Sequence, residues 1–310
     1  FGRVVACIDH RRKEEVAIKI VRNVKRYYES AQIEADILRH VNSRRDDRAT
    51  TLCVLLKDHF TTVSRHYCLV FESLGWSLYD FLKHTDFQPF PLECIQDFSQ
   101  QLLSALEFLH SFQLIHTDLK PENILLLSNA VKPHGKNRST IVPASTRIKL
   151  IDFGGSCYED ERKSSVINTR QYRAPEVILE LPWSYPSDLW SLGCILAELY
   201  TGNLFFATHD NKEHFGLMEQ AIGPFPKSIL EKASSPIKKV FDSRSGLFSR
   251  RLLSSSSRKH VERMPPLDNK FLKDADFLHL LKELLVIDPH RRATALDALH
   301  FSFPRRSHFS

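Results

Sequence analysis

The sequence predicts an α+β fold of two lobes, a small strand-rich lobe carrying one helix and then a larger, mainly helical lobe. Three observations predict it. Roughly the first seventy residues hold short β-branched runs around a single helical pattern. After Leu74-Gly75 the texture changes to long apolar stretches at helical spacing. A chain of 310 residues is long enough to bury a large core without disulfide staples.

The chain opens inside a strand, Phe1-Gly2-Arg3-Val4-Val5, with no preceding turn or cap, as a piece of a longer protein would. Glu15–Val21 is β-branched and apolar, and reads as the partner strand of a hairpin whose turn holds His10-Arg11-Arg12-Lys13. Ile33, Ile37, Leu38 and Val41 then share one face of a helix. Two further strands are expected around Cys53–Leu56 and Tyr67–Phe71. Gly75 lies in a hinge. Beyond it Ile95, Phe98, Leu102, Leu103, Leu106 and Leu109 recur at helical spacing, which predicts a buried core helix. Ser187–Tyr200 and Phe277–Ile287 predict two more. Ser128–Thr146 is polar, with Pro133, Gly135 and Pro143, and reads as an inserted loop or excursion hairpin. Lys232–Pro266 is rich in Ser, Lys and Arg and reads as a mobile insert. The expected organisation is one domain over 1–310, a first lobe at about 1–74 and a second at about 75–310, with inserts at about 128–146 and 232–266.

The six cysteines are scattered without a CxxC pair, which reads as free buried thiols and not as zinc ligands or disulfides. No apolar run approaches the roughly 18 residues that cross a bilayer, so no membrane partner is expected. The formal charge of +6 permits an acidic partner. No aromatic-plus-glycine pattern of an RNA-recognition module accompanies it, and no direct nucleic-acid contact is expected.

Five short motifs occur in the order that phosphoryl transfer from ATP requires. That chemistry needs the phosphates held, a metal supplied, the acceptor hydroxyl oriented and water kept out. Val16-Ala17-Ile18-Lys19 sets an ammonium in an apolar strand, which is costly without a partner. Glu34 on the following helix could supply one and hold Lys19 against the α- and β-phosphates; a surface lysine beside a surface glutamate reads equally well from this motif alone. His116-Thr117-Asp118-Leu119-Lys120-Pro121-Glu122-Asn123 follows the long helix. Here Asp118 is the candidate catalytic base, Lys120 the neutraliser of the transferring phosphate and Asn123 a magnesium ligand. Asp152-Phe153-Gly154 follows the apolar strand Ile148–Ile151, and Asp152 is the candidate second magnesium ligand. The remaining two are Ala174-Pro175-Glu176, with Arg292 further on, and Asp188-Leu189-Trp190-Ser191-Leu192-Gly193, whose aspartate is expected to bond the backbone of the catalytic loop.

Read together, these motifs resemble the protein kinase signature, and the resemblance covers essentially the whole chain. Glu213-His214-Phe215-Gly216-Leu217-Met218-Glu219-Gln220-Ala221-Ile222-Gly223-Pro224 is similar to the signature of the LAMMER, or Cdc2-like, kinases of the CMGC group, with Phe-Gly-Leu where that signature has Leu-Ala-Met. The resemblance implies a bilobal kinase fold and a dual-specificity enzyme using ATP and Mg2+. It implies phosphorylation of Ser and Thr on arginine/serine-rich splicing factors in the nucleus, Tyr autophosphorylation, and a monomer. By the same match Phe71 is the gatekeeper beside the adenine, and Glu72 and Leu74 offer hinge backbone groups. Val4, Ala17, Leu125 and Ile151 sandwich the ring, Gly2 belongs to the phosphate-covering loop, and Asp80 lies near the ribose. Gly154, Thr169 and Arg173 fall in the activation segment, and Glu176 pairs with Arg292 to fasten its end.

The sequence departs from the pattern in three places. Only the tail of the glycine-rich loop, Phe1-Gly2-Arg3-Val4, is present. Thr117 stands where most kinases carry an arginine that clamps a phosphorylated activation loop, which predicts independence of that phosphate, with Ser164, Ser165 and Thr169 as candidate sites. The insert after Pro224 is basic, which fits an arginine-rich substrate poorly; it reads as a disordered, solvated loop, with contact to acidic or phosphorylated segments as the alternative. Two other readings stay open: an inactive kinase-fold scaffold, although Lys19, Asp118, Asn123 and Asp152 are all present, and a neighbouring CMGC kinase.

Overall fold

The computed structural model describes residues 2–44, 46–135, 140–161, 164–268 and 270–305; Phe1 lies outside them. The opening β-branched residues form a hairpin, β1 (Gly2–Asp9) against β2 (Glu14–Val21), in register from Gly2 opposite Val21 to Asp9 opposite Glu14. With β3 (Leu56–Thr61) and β4 (Tyr67–Glu72) they make one antiparallel sheet in the order β1-β2-β4-β3. The strand expected at Cys53–Leu56 lies further on, because Cys53 is drawn away into a single bridge with Leu150 of the second lobe.

Helix α1 (Lys25–Asn42) buries Ala31, Glu34, Ala35, Ile37, Leu38 and Val41. Ile33, expected on that face, is 55% exposed. The buried stripe runs 31-34-35-37-38-41, and at about 100° per residue Ile33 falls about 40° beyond its edge at Ile37, towards solvent. The stripe accommodates Glu34, a charge among apolar residues, which periodicity in hydrophobicity passes over. Val21, Ala31, Ala35, Tyr67 and Leu69 form the small lobe's own core.

A short helix, α2 (Asp47–Thr51), and α3 (Leu78–His84) precede the long helix α4 (Leu92–Ser111), whose six predicted core residues are all at most 1% exposed. At the hinge, Gly75 donates its N–H to the Leu126 carbonyl over 2.7 Å. A Cβ there would stand 2.7 Å from the Ser128 backbone, so the crossover requires glycine. Behind α4 come β5 (Leu114–Ile115), β6 (Ile124–Leu126), β7 (Val131–His134), β8 (Thr140–Pro143), β9 (Ile148–Leu150) and β10 (Cys157–Tyr158). They pair β5 with β10, β6 with β9, and β7 with β8. Residues 128–146 thus form the excursion hairpin, with 136–139 outside the described residues.

The helical lobe continues through α5 (Pro175–Ile178), α6 (Pro186–Thr201), α7 (Asn211–Ile222) and α8 (Lys227–Leu230). Next are α9 (Ser235–Lys238), α10 (Ser255–Arg263), α11 (Ala275–Leu284), α12 (Ala295–Leu299) and α13 (Ser302–Arg305). Residues 232–266, read as a mobile insert, are folded. They carry α9 and α10 and bury Phe241, Phe248, Leu253 and Val261. Their apolar residues are too sparse to show a period, yet each finds the phenylalanine cluster around Phe215 and Phe225 or the α7 face. Glu213 of α7 accepts from His260, and Glu219 accepts from the Phe248 N–H and pairs with Arg250. The two carboxylates of the LAMMER-like helix therefore fasten this segment down.

Candidate active site

Strand β2 delivers Lys19 to the cleft between the lobes and α1 delivers Glu34 opposite it. The Lys19 ammonium lies 3.0 and 2.9 Å from the two Glu34 oxygens and 3.0 Å from Oδ1 of Asp152. Burial alone would push the Lys19 pKa down, but the two carboxylates outweigh it and hold it above the ordinary lysine value. The ammonium is thus kept charged in an apolar sheet. Glu34 is 3% exposed, which excludes the surface-pair reading of these residues.

Three non-glycine residues around the cleft have left-handed backbone: Thr117 (φ 69), Asp152 (φ 62) and Asn168 (φ 60). For a β-branched residue such as Thr117 this is strained, and surrounding bonds must over-determine it. They do. Buried Asp188, at the start of α6, accepts from the His116 N–H at 2.9 Å, the Thr117 N–H at 3.0 Å and His110 Nε2 at 3.0 Å. Burial would raise the Asp188 pKa, but the His110 bond and the neighbouring donors outweigh it and keep the carboxyl below its usual range. This is the role expected of Asp188. The Thr117 carbonyl takes both the backbone and the side-chain N–H of Asn168, at 3.0 and 2.9 Å. Its hydroxyl donates to the Gly155 carbonyl at 2.7 Å. The catalytic loop is therefore tied to both ends of the activation segment by neutral hydrogen bonds.

Around the carboxylate of Asp118, Lys120 Nζ lies 2.6 Å from Oδ2, and Thr169 donates to Oδ1 from its hydroxyl at 2.7 Å and its N–H at 3.1 Å. Burial pushes the Asp118 pKa up, but these bonds, Lys120 first, bring it below the ordinary carboxylate value. The group is ionised at neutral pH. Asn123, 5% exposed, gives its amide N–H to the Asp118 carbonyl at 2.8 Å, and its amide oxygen takes no hydrogen bond among the described residues. His116 Nε2 donates to the Ile151 carbonyl at 3.0 Å and its ring packs on Phe153, which is fully buried. Sequence reading passed over this contact and the bonds of Asn168.

A cavity of about 660 Å³ brings these groups together. Of the predicted residues, Lys19, Glu34, Asp118 and Asp152 line it, as do Gly2 and Val4 from β1 and Gly154, Thr169 and Arg173 from the activation segment. Gly2 serves its own sheet as well, since a Cβ there would stand 2.4 Å from the Ile20 carbonyl oxygen. Lys120 and Asn123 join through Asp118. The adenine-side residues lie along the hinge outside that cavity: Ala17 is opposite Phe71 in the β2–β4 pair, Leu74 packs on the core, Leu125 bridges to Ser77, and Ile151 donates its N–H to the Asn123 carbonyl. The Glu72 carboxylate is taken by Lys149 and the Leu55 N–H. Asp80, expected near a ribose, closes a capping box with Ser77, whose hydroxyl donates to Asp80 Oδ2 at 2.6 Å.

Away from the cleft, Arg292 makes a bidentate pair with Glu176 at 2.8 and 2.9 Å, with the two side chains 0% and 1% exposed, and also donates to the Pro186 carbonyl. Arg173 donates to the carbonyls of Ile167 and Asn168 at 2.9 and 2.8 Å. Tyr172 donates to buried Glu198 at 2.6 Å, a contact that sequence reading missed although a lone glutamate in the apolar α6 run marked it.

The protein kinase domain family matches residues 1–303. The chain is 44% identical to the serine/threonine-protein kinase AFC3 of Arabidopsis thaliana, over 99% of its own length and 80% of the relative's. It is 42% identical to the dual specificity protein kinase lkh1 of Schizosaccharomyces pombe, over 98% of its length and 45% of that protein. Against human dual specificity protein kinase CLK1 the identity is again 42%, over 98% of the chain and 63% of the relative. The chain thus spans from about half to four-fifths of these curated relatives. Among solved structures, the crystal structure of the PF14_0431 kinase domain matches with a TM-score of 0.89 at 39% identity, covering 98% of this chain and 92% of that one. The chain belongs to the protein kinase family, and within it to the LAMMER-type dual-specificity kinases of the CMGC group.

Proposed function

We propose that this chain transfers the γ-phosphate of Mg·ATP to Ser and Thr hydroxyls of arginine/serine-rich splicing factors in the nucleus, and to its own Tyr residues. The observation that carries the reaction is at Asp118. A hydroxyl, that of Thr169, already donates to Oδ1 at 2.7 Å with Lys120 beside it, which is the arrangement an acceptor hydroxyl needs. Asp118 takes the proton's hydrogen bond and orients the nucleophile. Lys19, fixed by Glu34, holds the phosphates, and Lys120 offsets charge on the group in transit. The donor set fits magnesium, since Asp152 contributes a carboxylate and Asn123 an uncommitted amide oxygen, both hard ligands. Bound Mg2+ would neutralise phosphate charge there.

The substrate class rests on the resemblance of the sequence to the LAMMER-type kinases, and peptides test it. Labelled phosphate transfer is measured on an arginine/serine-rich peptide and on a serine–proline peptide without arginine. Preference for the first is expected. Preference for the second would move the chain to a neighbouring CMGC class, and no transfer to either would support a scaffold.

A further inference from the structure

We propose that His40 and Tyr158 form a latch that holds the end of α1 against the start of the activation segment, which makes them positioning residues for the Lys19–Glu34 pair. The proposal rests on the kinase reading above. His40 is in the last turn of α1, less than two turns beyond Glu34, and Tyr158 is in β10, six residues after Asp152. Nδ1 of His40 is hydrogen-bonded to the Tyr158 hydroxyl, and Nε2 is 2.7 Å from Arg44. The imidazole packs edge-on against Phe112 at the end of α4, with centroids 5.6 Å apart, and Arg44 stacks over the same ring at 4.7 Å. Three elements therefore meet at one histidine: α1 from the small lobe, the end of the core helix, and the activation segment.

Hydrogen-bond accounting sets the tautomer. A guanidinium only donates, so Nε2 must accept from Arg44. The neutral ring then carries its proton on Nδ1 and donates it to the Tyr158 oxygen. The charged groups facing this ring are Arg44 at the end of α1 and, behind Tyr158, Glu161, which accepts from the Tyr158 N–H at 2.9 Å; α4 offers only Phe112. Burial and then Arg44 hold the His40 pKa below the ordinary imidazole value, so the neutral ring, accepting from Arg44 and donating to Tyr158, prevails at physiological pH. Protonation would point an N–H at Arg44. Protonation, as pH falls through the depressed His40 pKa, therefore breaks the Arg44 contact, while Nδ1–H still donates to the Tyr158 oxygen. Loosening the end of α1 frees Glu34 from Lys19.

Tyr158→Phe keeps the ring and removes only the hydroxyl, and His40→Gln keeps a donor that does not titrate. Tyr158→Phe should speed amide hydrogen exchange over residues 35–42, a readout that needs no turnover. It should also lower kcat/KM for ATP by about three- to tenfold, the effect of one hydrogen bond. In a Glu34→Gln background the same change should do nothing further. His40→Gln should retain most activity. Unchanged exchange in Tyr158→Phe, or its full kinetic effect in the Glu34→Gln background, would overturn the latch. If the wild type transfers no phosphate, the kinase reading fails and exchange alone decides the latch.

Discussion

Glu198→Gln should make the protein more stable at alkaline pH and leave it nearly unchanged in acid. Glu198 is 4% exposed on α6, and its only hydrogen-bond donor among the described residues is the Tyr172 hydroxyl. Burial, opposed by that bond, raises its pKa from 4.5 to about 7. A carboxyl whose folded pKa is raised favours folding below its unfolded value and loses that advantage as pH rises through the folded value. A shift of this size corresponds to about 1 kcal/mol of destabilisation at pH 5 and about 3 kcal/mol at pH 8. Glutamine keeps an acceptor for Tyr172 and cannot ionise, so the variant escapes the penalty. Urea unfolding of both proteins at pH 5 and pH 8 measures it. The gap should widen by about 2 kcal/mol between the two pH values. A gap that does not change with pH, or a variant less stable at pH 8, would mean that Glu198 is not held protonated by burial.

Arg292→Ala leaves Glu176 buried without its partner and should cost about 3–5 kcal/mol in urea unfolding, with Glu176→Gln in the same chain restoring part of it. A loss below about 1 kcal/mol would mean the pair is solvated. Thr169→Ala removes one of the bonds that lower the Asp118 pKa, so the acid limb of kcat/KM should move to higher pH; an unmoved limb would separate Thr169 from the base. Complete phosphatase treatment should leave activity intact, because Thr117 and Asn168 fasten the activation segment with neutral bonds. A loss of about tenfold or more would show that a phosphate carries that task.

The fold was legible where periodicity and burial agree. The α4 residues from Ile95 to Leu109 announced a core helix because six large apolar side chains recur on one face of it. Ile33 misled because a hydrophobic side chain at 55% exposure looks no different in sequence from a buried one, while buried Glu34 was visible only through its partner motif. Residues 232–266 were opaque because their order comes from tertiary partners, Glu213 and Glu219 on a distant helix, and not from local pattern. At the site, the charged residues were legible because carboxylate, ammonium and amide at fixed spacing are rare by chance. The residues that shape their backbone were not. Asn168 acts through a left-handed φ and a bond to Thr117, and the Asp80 carboxylate caps its helix through Ser77. Short polar residues near a loop serve capping and binding equally well, and only the fold distinguishes the two.

In the proposed reaction Asp118 orients an acceptor hydroxyl for phosphate transfer from a nucleotide held by Lys19. Single-turnover transfer of labelled γ-phosphate, with ATP affinity measured alongside, tests it on the wild type and Asp118→Asn. Transfer by Asp118→Asn should drop about 10²–10⁴-fold with ATP affinity within about threefold. Equal transfer rates in the two proteins would contradict it.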